Sequence, residues 1–91
     1  MSKRTSGEHE IINDLGLHAR AASKVVKLAN EFDAEVWLSN GSHEVNAQSI
    51  LGVLMLACAK GSKVSLRTDG KQAVPAYAAI AELIDDGFGE L

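Results

Sequence analysis

The sequence predicts an α+β fold: a two-layer, open-faced β-sandwich in which three helices cover one face of a four-stranded antiparallel sheet. Three observations carry this expectation. Short segments alternate apolar and polar residues with a period of two. Between them, apolar residues recur at helical spacing. Turn-forming residues separate the segments in the order strand, helix, strand, strand, helix, strand, helix. A chain of 91 residues is expected to form a single domain, residues 1–91, that hides roughly 60–65% of its unfolded surface around one modest core.

The first strand is placed at "EHEIIN", Glu8 to Asn13, which ends against Asp14 and Gly16. In the helix that follows, Ala22, Val25, Val26, Ala29 and Phe32 form the inward stripe, while Lys24, Lys27 and Glu31 face water. "AEVWLS" alternates, with Ala34, Val36 and Leu38 on one side and Glu35, Trp37 and Ser39 on the other, as in a strand with one wet face. Asn40-Gly41 signals a hairpin, and "HEVNA" supplies the returning strand.

Ser49, an N-cap residue type, precedes "ILGVLMLACA", read as a short helix that Lys60-Gly61 ends. "KVSLRT" is the fourth strand, with Val64 and Leu66 inward, and Asp69-Gly70 turns the chain. From Gln72, the residues Val74, Tyr77, Ala78, Ala81 and Ile84 suggest a third helical stripe. Pro75 is confined to the first turn, where its missing N–H is harmless. Gly87 stops this helix, and Phe88 is placed to pack back on Leu83.

Composition excludes several classes of function. Hydrophobic residues are 46% of the chain and charged residues 23%, a globular balance, and with aromatics at only 4% the core must be aliphatic. The formal charge of −3, with basic residues scattered rather than striped, argues against a nucleic-acid or anionic-membrane partner. The lone Cys58 has no partner for a disulfide within the chain, "MSKRTSG" opens the sequence without an apolar segment behind it, and the longest apolar run, Ile50 to Ala59, is far short of a membrane span. A soluble, cytoplasmic, monomeric protein without metal or cofactor is expected.

The chemistry concentrates in "NDLGLHARAASKVVKLANEF". A structural role accounts for most of this segment but not for His18 and Arg20. If His18 caps the first helix, its ring lies beside the free backbone N–H groups of Ala19, Arg20 and Ala21 and at the positive end of the helix dipole. That setting favours neutral imidazole, whose free ring nitrogen is a nucleophile near pH 7. It also offers an anion site, with the Arg20 guanidinium near enough to share a phosphoryl group's charge. The same spacing also fits an exposed, purely polar histidine, so the pattern alone leaves both readings open.

These residues resemble a family. "GLHARAA" looks like the active-site motif of HPr, the histidine-containing phosphocarrier of the phosphoenolpyruvate-dependent phosphotransferase system, and "VNAQSILGVLMLACAKGS" looks like its second signature. The resemblance runs from about Glu8 to Phe88. It implies a phosphocarrier that takes a phosphoryl group from enzyme I on His18 Nδ1 and passes it to enzyme IIA domains. Arg20 is then the responsive partner, the backbone of Ala19 and Arg20 steadies the phosphoryl group, and Ser49 is a regulatory site for an HPr kinase/phosphorylase. The family usually has proline where this chain has Ala21; alanine keeps an N–H that can serve as a donor. The ending "ELIDDGFGEL" and opening "HEIINDLGLHARAA" are similar to the nitrogen-related paralogue NPr, whereas "VNAQSILGV" is closer to HPr chains that the kinase recognises.

The second motif has its own physics. A helix this short cannot bury every side, so some of Ile50, Leu51, Leu54 and Met55 should stay exposed. The resemblance implies that this helix supplies the docking patch for donor and acceptor proteins, with Leu17, Ala21, Ile50, Leu51 and Leu54 as its expected members. Two alternatives stand beside the carrier: a regulatory binding module built on the Ser49 surface, and a self-sufficient histidine enzyme, which one small core leaves no substrate pocket to support. His9 and His43 lack metal-ligand spacing and are read as surface side chains. Trp37 is read as cover for the open sheet face, with a partner contact as the alternative, and Cys58 as packing. Asp85 and Asp86 sit unfavourably at a helix C-terminus and receive no function.

Overall fold

The structure is a computed structural model that describes residues 3–90. Its elements run β1 (Lys3–Glu10), α1 (Ala19–Ala29), β2 (Glu35–Ser39), β3 (Glu44–Asn46), α2 (Ile50–Met55), β4 (Lys63–Gly70) and α3 (Ala73–Asp85), closed by a 3-10 turn at Gly87–Gly89. The sheet order is β1-β4-β2-β3, and every neighbouring pair is antiparallel. The predicted element order and the open-faced two-layer architecture are therefore both present.

Alternation fixes which face is covered. Val36 and Leu38 of β2 and Val64, Leu66 and Thr68 of β4 are buried on one side of the sheet, where they join Ala22 and Val25 of α1 and Ile80, Ala81 and Ile84 of α3. Each fully buried aliphatic side chain of this kind contributes about 1.5–3 kcal/mol over leaving it exposed. Thr68 is the polar member, and its Oγ1 donates to the Ala73 carbonyl at 2.6 Å, so its burial is compensated. On the open face the Arg67 guanidinium lies 5.4 Å from the centre of the Trp37 ring and also pairs with Glu44 and Asp69. Trp37 thus covers the open face as expected.

Four sequence expectations need correction. β1 starts at Lys3 and ends at Glu10 rather than spanning Glu8 to Asn13. Its inward positions are Thr5, Gly7 and His9, so it carries no apolar alternation to betray it. Ile11, which drew the strand too late, is buried in the following loop, where Gly61 donates to its carbonyl at 2.7 Å. The second correction is to α2, which stops at Met55 rather than Lys60: Ala57 turns left-handed at φ 50, a conformation costing an alanine of order 1–2 kcal/mol. Cys58 accordingly lies in a loop, not a helix.

The third is the stripe of α3, whose buried members are Ala73, Ala76, Ile80, Ala81 and Ile84: Ala81 and Ile84 are as expected and Tyr77 packs partly buried, but Val74 is half-exposed and Ala78 exposed. "AVPAYAAIA" is apolar almost throughout, so its periodicity could not phase the helix. Finally, His9 is not a surface side chain. Its ring is mostly buried, with Nδ1 3.0 Å from Asp85 Oδ1 and Nε2 2.7 Å from the Tyr77 hydroxyl, tying β1 to α3. This gives Asp85 a structural place.

Candidate functional site

The site begins with a turn that only one residue type fits. Gly16 closes the Asn13–Gly16 turn at φ 64, and a Cβ on it would collide with the Cys58 carbonyl and come within 3.0 Å of the Ala59 Cα. This close approach lets Leu17 donate to Cys58 O at 2.9 Å, which seats the chain entering α1 against the loop that follows α2. Leu17 is buried there, and His18 emerges as the N-cap of α1 with extended backbone, φ −81 and ψ −179.

His18 Nδ1 accepts the Arg20 backbone N–H at 3.2 Å. A nitrogen that accepts carries no proton, so the ring proton is on Nε2, which donates to Glu90 Oε2 at 2.6 Å. The ring is about a quarter exposed. It is thus the neutral tautomer, with its lone pair on the side facing the start of the helix. An electrophile arriving at Nδ1 displaces the long bond to Arg20 and frees that N–H to donate to the newcomer's oxygen, beside the unpaired N–H groups of the first helical turn.

Glu90 is itself firmly held. Asn13 is fully buried, and its Nδ2 donates to Glu90 Oε1 and to the Gly16 carbonyl, both at 2.9 Å, while Asn13 Oδ1 has no hydrogen-bond partner among the described residues. An unsatisfied buried acceptor costs of order 1–3 kcal/mol. The turn carrying Glu90 is pinned by the buried Phe88 ring, at φ 58, and by Lys24, whose Nζ donates to the Phe88 carbonyl at 2.6 Å. The Asn13 hydrogen bond, followed by the His18 hydrogen bond and the charge of Lys24, holds the Glu90 carboxyl below the ordinary glutamate range against the opposing effect of desolvation. Asp14, Leu15, Arg20, Lys24, Gly89 and Glu90 line a shallow cleft of about 360 Å³ at this end of α1. Arg20 is exposed beside it.

Of the other expected site residues, Ala19 is exposed at the first position of α1. Ser49 is the exposed N-cap of α2, and its Oγ accepts the Gly52 N–H at 3.4 Å. Ile50, Leu51 and Leu54 are 41%, 70% and 36% exposed, and Met55 and Leu15 of the Asn13–Gly16 turn are exposed as well. The expected patch needs correcting at Leu17 and Ala21. Both are buried, because the Cys58 contact draws Leu17 inward and Ala21 faces the core side of α1, so neither can give area to a partner. Cys58 is buried packing, as read, and burial pushes its thiol pKa up. Among the described residues no helix is long and apolar enough to cross a membrane, and no cluster of three or more histidine, cysteine or acidic side chains could hold a metal ion.

Sequence reasoning missed Glu90 and Asn13. Glu90 lies 72 positions from His18, so no local spacing links them. A signal was present all the same: "GFGE" sets an acidic residue two positions beyond a large apolar anchor between glycines, the composition of a turn that folds back.

Comparison with known proteins gives a consistent picture. Residues 5–86 match the sequence model of a family described as "PTS HPr component phosphorylation site". The chain is 48% identical over 81 residues to the phosphocarrier protein HPr of Neisseria meningitidis serogroup A, covering 89% of this chain and 91% of that one. It is 46% identical over 80 residues to the phosphocarrier protein NPr of Shewanella violacea, covering 88% of each. In structure it is similar to HPr-C-His from Thermoanaerobacter tengcongensis, with a TM-score of 0.91 and 36% identity over 96% of this chain and 98% of that one.

Proposed function

The chain belongs to the HPr family of phosphocarriers of the phosphotransferase system, and from that premise we propose that His18 is the residue that carries the phosphoryl group. The observation behind the proposal is the orientation of its ring: Nδ1 bears the lone pair at the mouth of α1 while Nε2–H donates to Glu90. Phospho-enzyme I presents its phosphoryl group; the Nδ1 lone pair attacks phosphorus as the donor's bond to phosphorus breaks and that bond's electron pair returns to the donor. The backbone N–H groups of Ala19 and Arg20 and the Arg20 guanidinium meet the phosphoryl oxygens. An enzyme IIA domain receives the group by the same step in reverse.

In this reading the protein is a stoichiometric carrier rather than an enzyme. It works as a cytoplasmic monomer, one domain over residues 1–91, with no metal or cofactor. Ile50, Leu51 and Leu54, joined by Leu15 and Met55, form the docking patch, and small, weak contacts of this kind suit rapid exchange between partners. The test is labelling from phosphoenolpyruvate in the presence of enzyme I. Wild type acquires an acid-labile phosphoryl group, and His18→Ala acquires none; normal labelling of the variant overturns the assignment.

A second reading makes the protein chiefly a regulator, in the nitrogen branch or under HPr kinase/phosphorylase. Its similarity to NPr chains and the exposed hydroxyl of Ser49 favour it. Incorporation of phosphate from ATP by the kinase, lost in Ser49→Ala, supports this role; failure of wild type to incorporate refutes it.

A further inference from the structure

We propose that Glu90 is a positioning residue for phosphoryl transfer, holding the proton on His18 Nε2 while Nδ1 is phosphorylated. The inference rests on the carrier reading above and deepens it. Three features converge on this carboxylate: it lies 2.6 Å from Nε2, Asn13 fixes its other oxygen at 2.9 Å, and its turn is clamped by the buried Phe88 and the Lys24 bond. Asn13 donates to Glu90 although its own Oδ1 goes without a partner among the described residues. A loose surface ion pair has no such support.

The electron balance shows what the carboxylate does. When Nδ1 attacks phosphorus, the ring keeps its Nε2 proton and becomes a positively charged phosphoimidazole. When the group moves on, the N–P bond breaks, its electron pair returns to Nδ1, and a neutral imidazole leaves. If Nε2 lost its proton first, the leaving group would be an imidazolate anion, a far poorer one. Glu90 opposes that loss by placing a negative charge against the N–H. Among the described residues, the other charged groups lining the cleft at this end of α1 are Arg20, Lys24 and Asp14, and Asp14 is paired with Lys60 at 2.8 Å. The two cations disfavour a positive ring, and among the described residues Glu90 is the carboxylate placed on the ring to offset them.

The experiment measures phosphoryl transfer from the phosphorylated full chain to an enzyme IIA domain as a function of pH, for wild type, Glu90→Gln, Glu90→Asp and Asp86→Asn. Glu90→Gln keeps the Phe88 anchor and a hydrogen-bonding oxygen but loses the charge. Its alkaline fall in rate should begin about one pH unit lower than in wild type, the size expected for removing one adjacent opposite charge. The maximal rate should fall while KM for the acceptor holds. Glu90→Asp should restore most of the alkaline limb. Asp86→Asn removes an equal charge from an exposed carboxylate and should follow wild type. The idea is overturned if Glu90→Gln keeps the wild-type limb and rate, or if Glu90→Asp or Asp86→Asn shifts as far as Glu90→Gln. Wild type that takes no label from enzyme I instead refutes the carrier reading itself, so the two failures are separable.

Discussion

Replacing Gly16 with alanine tests whether the approach of two loops builds the entrance to α1. At φ 64 the residue is close to the ordinary left-handed region, so the backbone alone costs an alanine about 1–2 kcal/mol. The added Cβ also meets the Cys58 carbonyl, a backbone atom that cannot rotate away, with Ala59 Cα at 3.0 Å behind it. Relief requires that carbonyl to move, which breaks its 2.9 Å bond from Leu17 and adds roughly 1–3 kcal/mol for a donor left unpaired in the interior. The total is about 2–5 kcal/mol. Gly41→Ala is the matched reference: its φ of 96 is at least as unfavourable for alanine, yet nothing lies within 4 Å of the new atom, so only the backbone cost of about 1–2 kcal/mol applies. Urea unfolding at pH 7, compared at constant m-value, reads both. Gly16→Ala should lose at least about 1 kcal/mol more than Gly41→Ala, and its labelling at His18 should slow, because the displaced segment is the one that seats the ring. Equal losses would mean that the loop contact does not hold the site.

Three further outcomes are expected. Arg20→Lys keeps the charge but loses the planar fork, so rapid-quench transfer should slow roughly tenfold, a loss of about 1.4 kcal/mol, with the melting temperature unchanged; wild-type rates would make Arg20 a solvated helix residue. Ser49→Asp should raise KM with enzyme I by placing charge at the rim of the apolar patch. It should leave melting equal or higher, because an acidic N-cap suits α2. The lowered Glu90 pKa gives a pH dependence of defined sign. A carboxylate whose folded pKa is depressed contributes stability that is present above its unfolded value, near 4.5, and is lost as pH falls through the folded one. Wild type should therefore exceed Glu90→Gln in unfolding free energy near pH 6, and the gap should close toward pH 2–3; a gap constant with pH would deny the shift.

The parts of this molecule that were legible in the sequence are those encoded by neighbours. Strands β2 and β4 announce themselves by alternation, and α1 by a single apolar stripe. The N-caps His18 and Ser49 declare themselves by residue type at the edge of a periodic run. What sequence reasoning misplaced depends on distant partners. β1 is a strand because β4 pairs with it, not because Thr5, Gly7 and His9 look like one. α2 ends early because residues 56–59 are drawn onto the turn before His18, and α3 could be phased only by what it packs on. At the site, the same distinction separates His18 and Arg20, which a local motif reveals, from Asn13 and Glu90, which nothing local joins.

The sheet order carries a consequence for how the molecule comes into being. β1 pairs with β4, so Arg4 waits for Asp69, 65 positions later, and until β4 exists the first strand has no neighbour to bond. Loop closure over such a distance must precede the contacts that reward it, so this pairing belongs to the late and slow part of folding. His9 then docks on Tyr77 and Asp85, and the His18 ring meets Glu90 across 72 positions. On the ribosome α1 can form early, with His18 already at its cap, but the ring's orienting carboxylate arrives only after the whole sheet has been synthesised. A nascent chain therefore presents the His18 ring before Glu90 can hold it in register, and under the proposed function competence for transfer would come with the final closure of the fold.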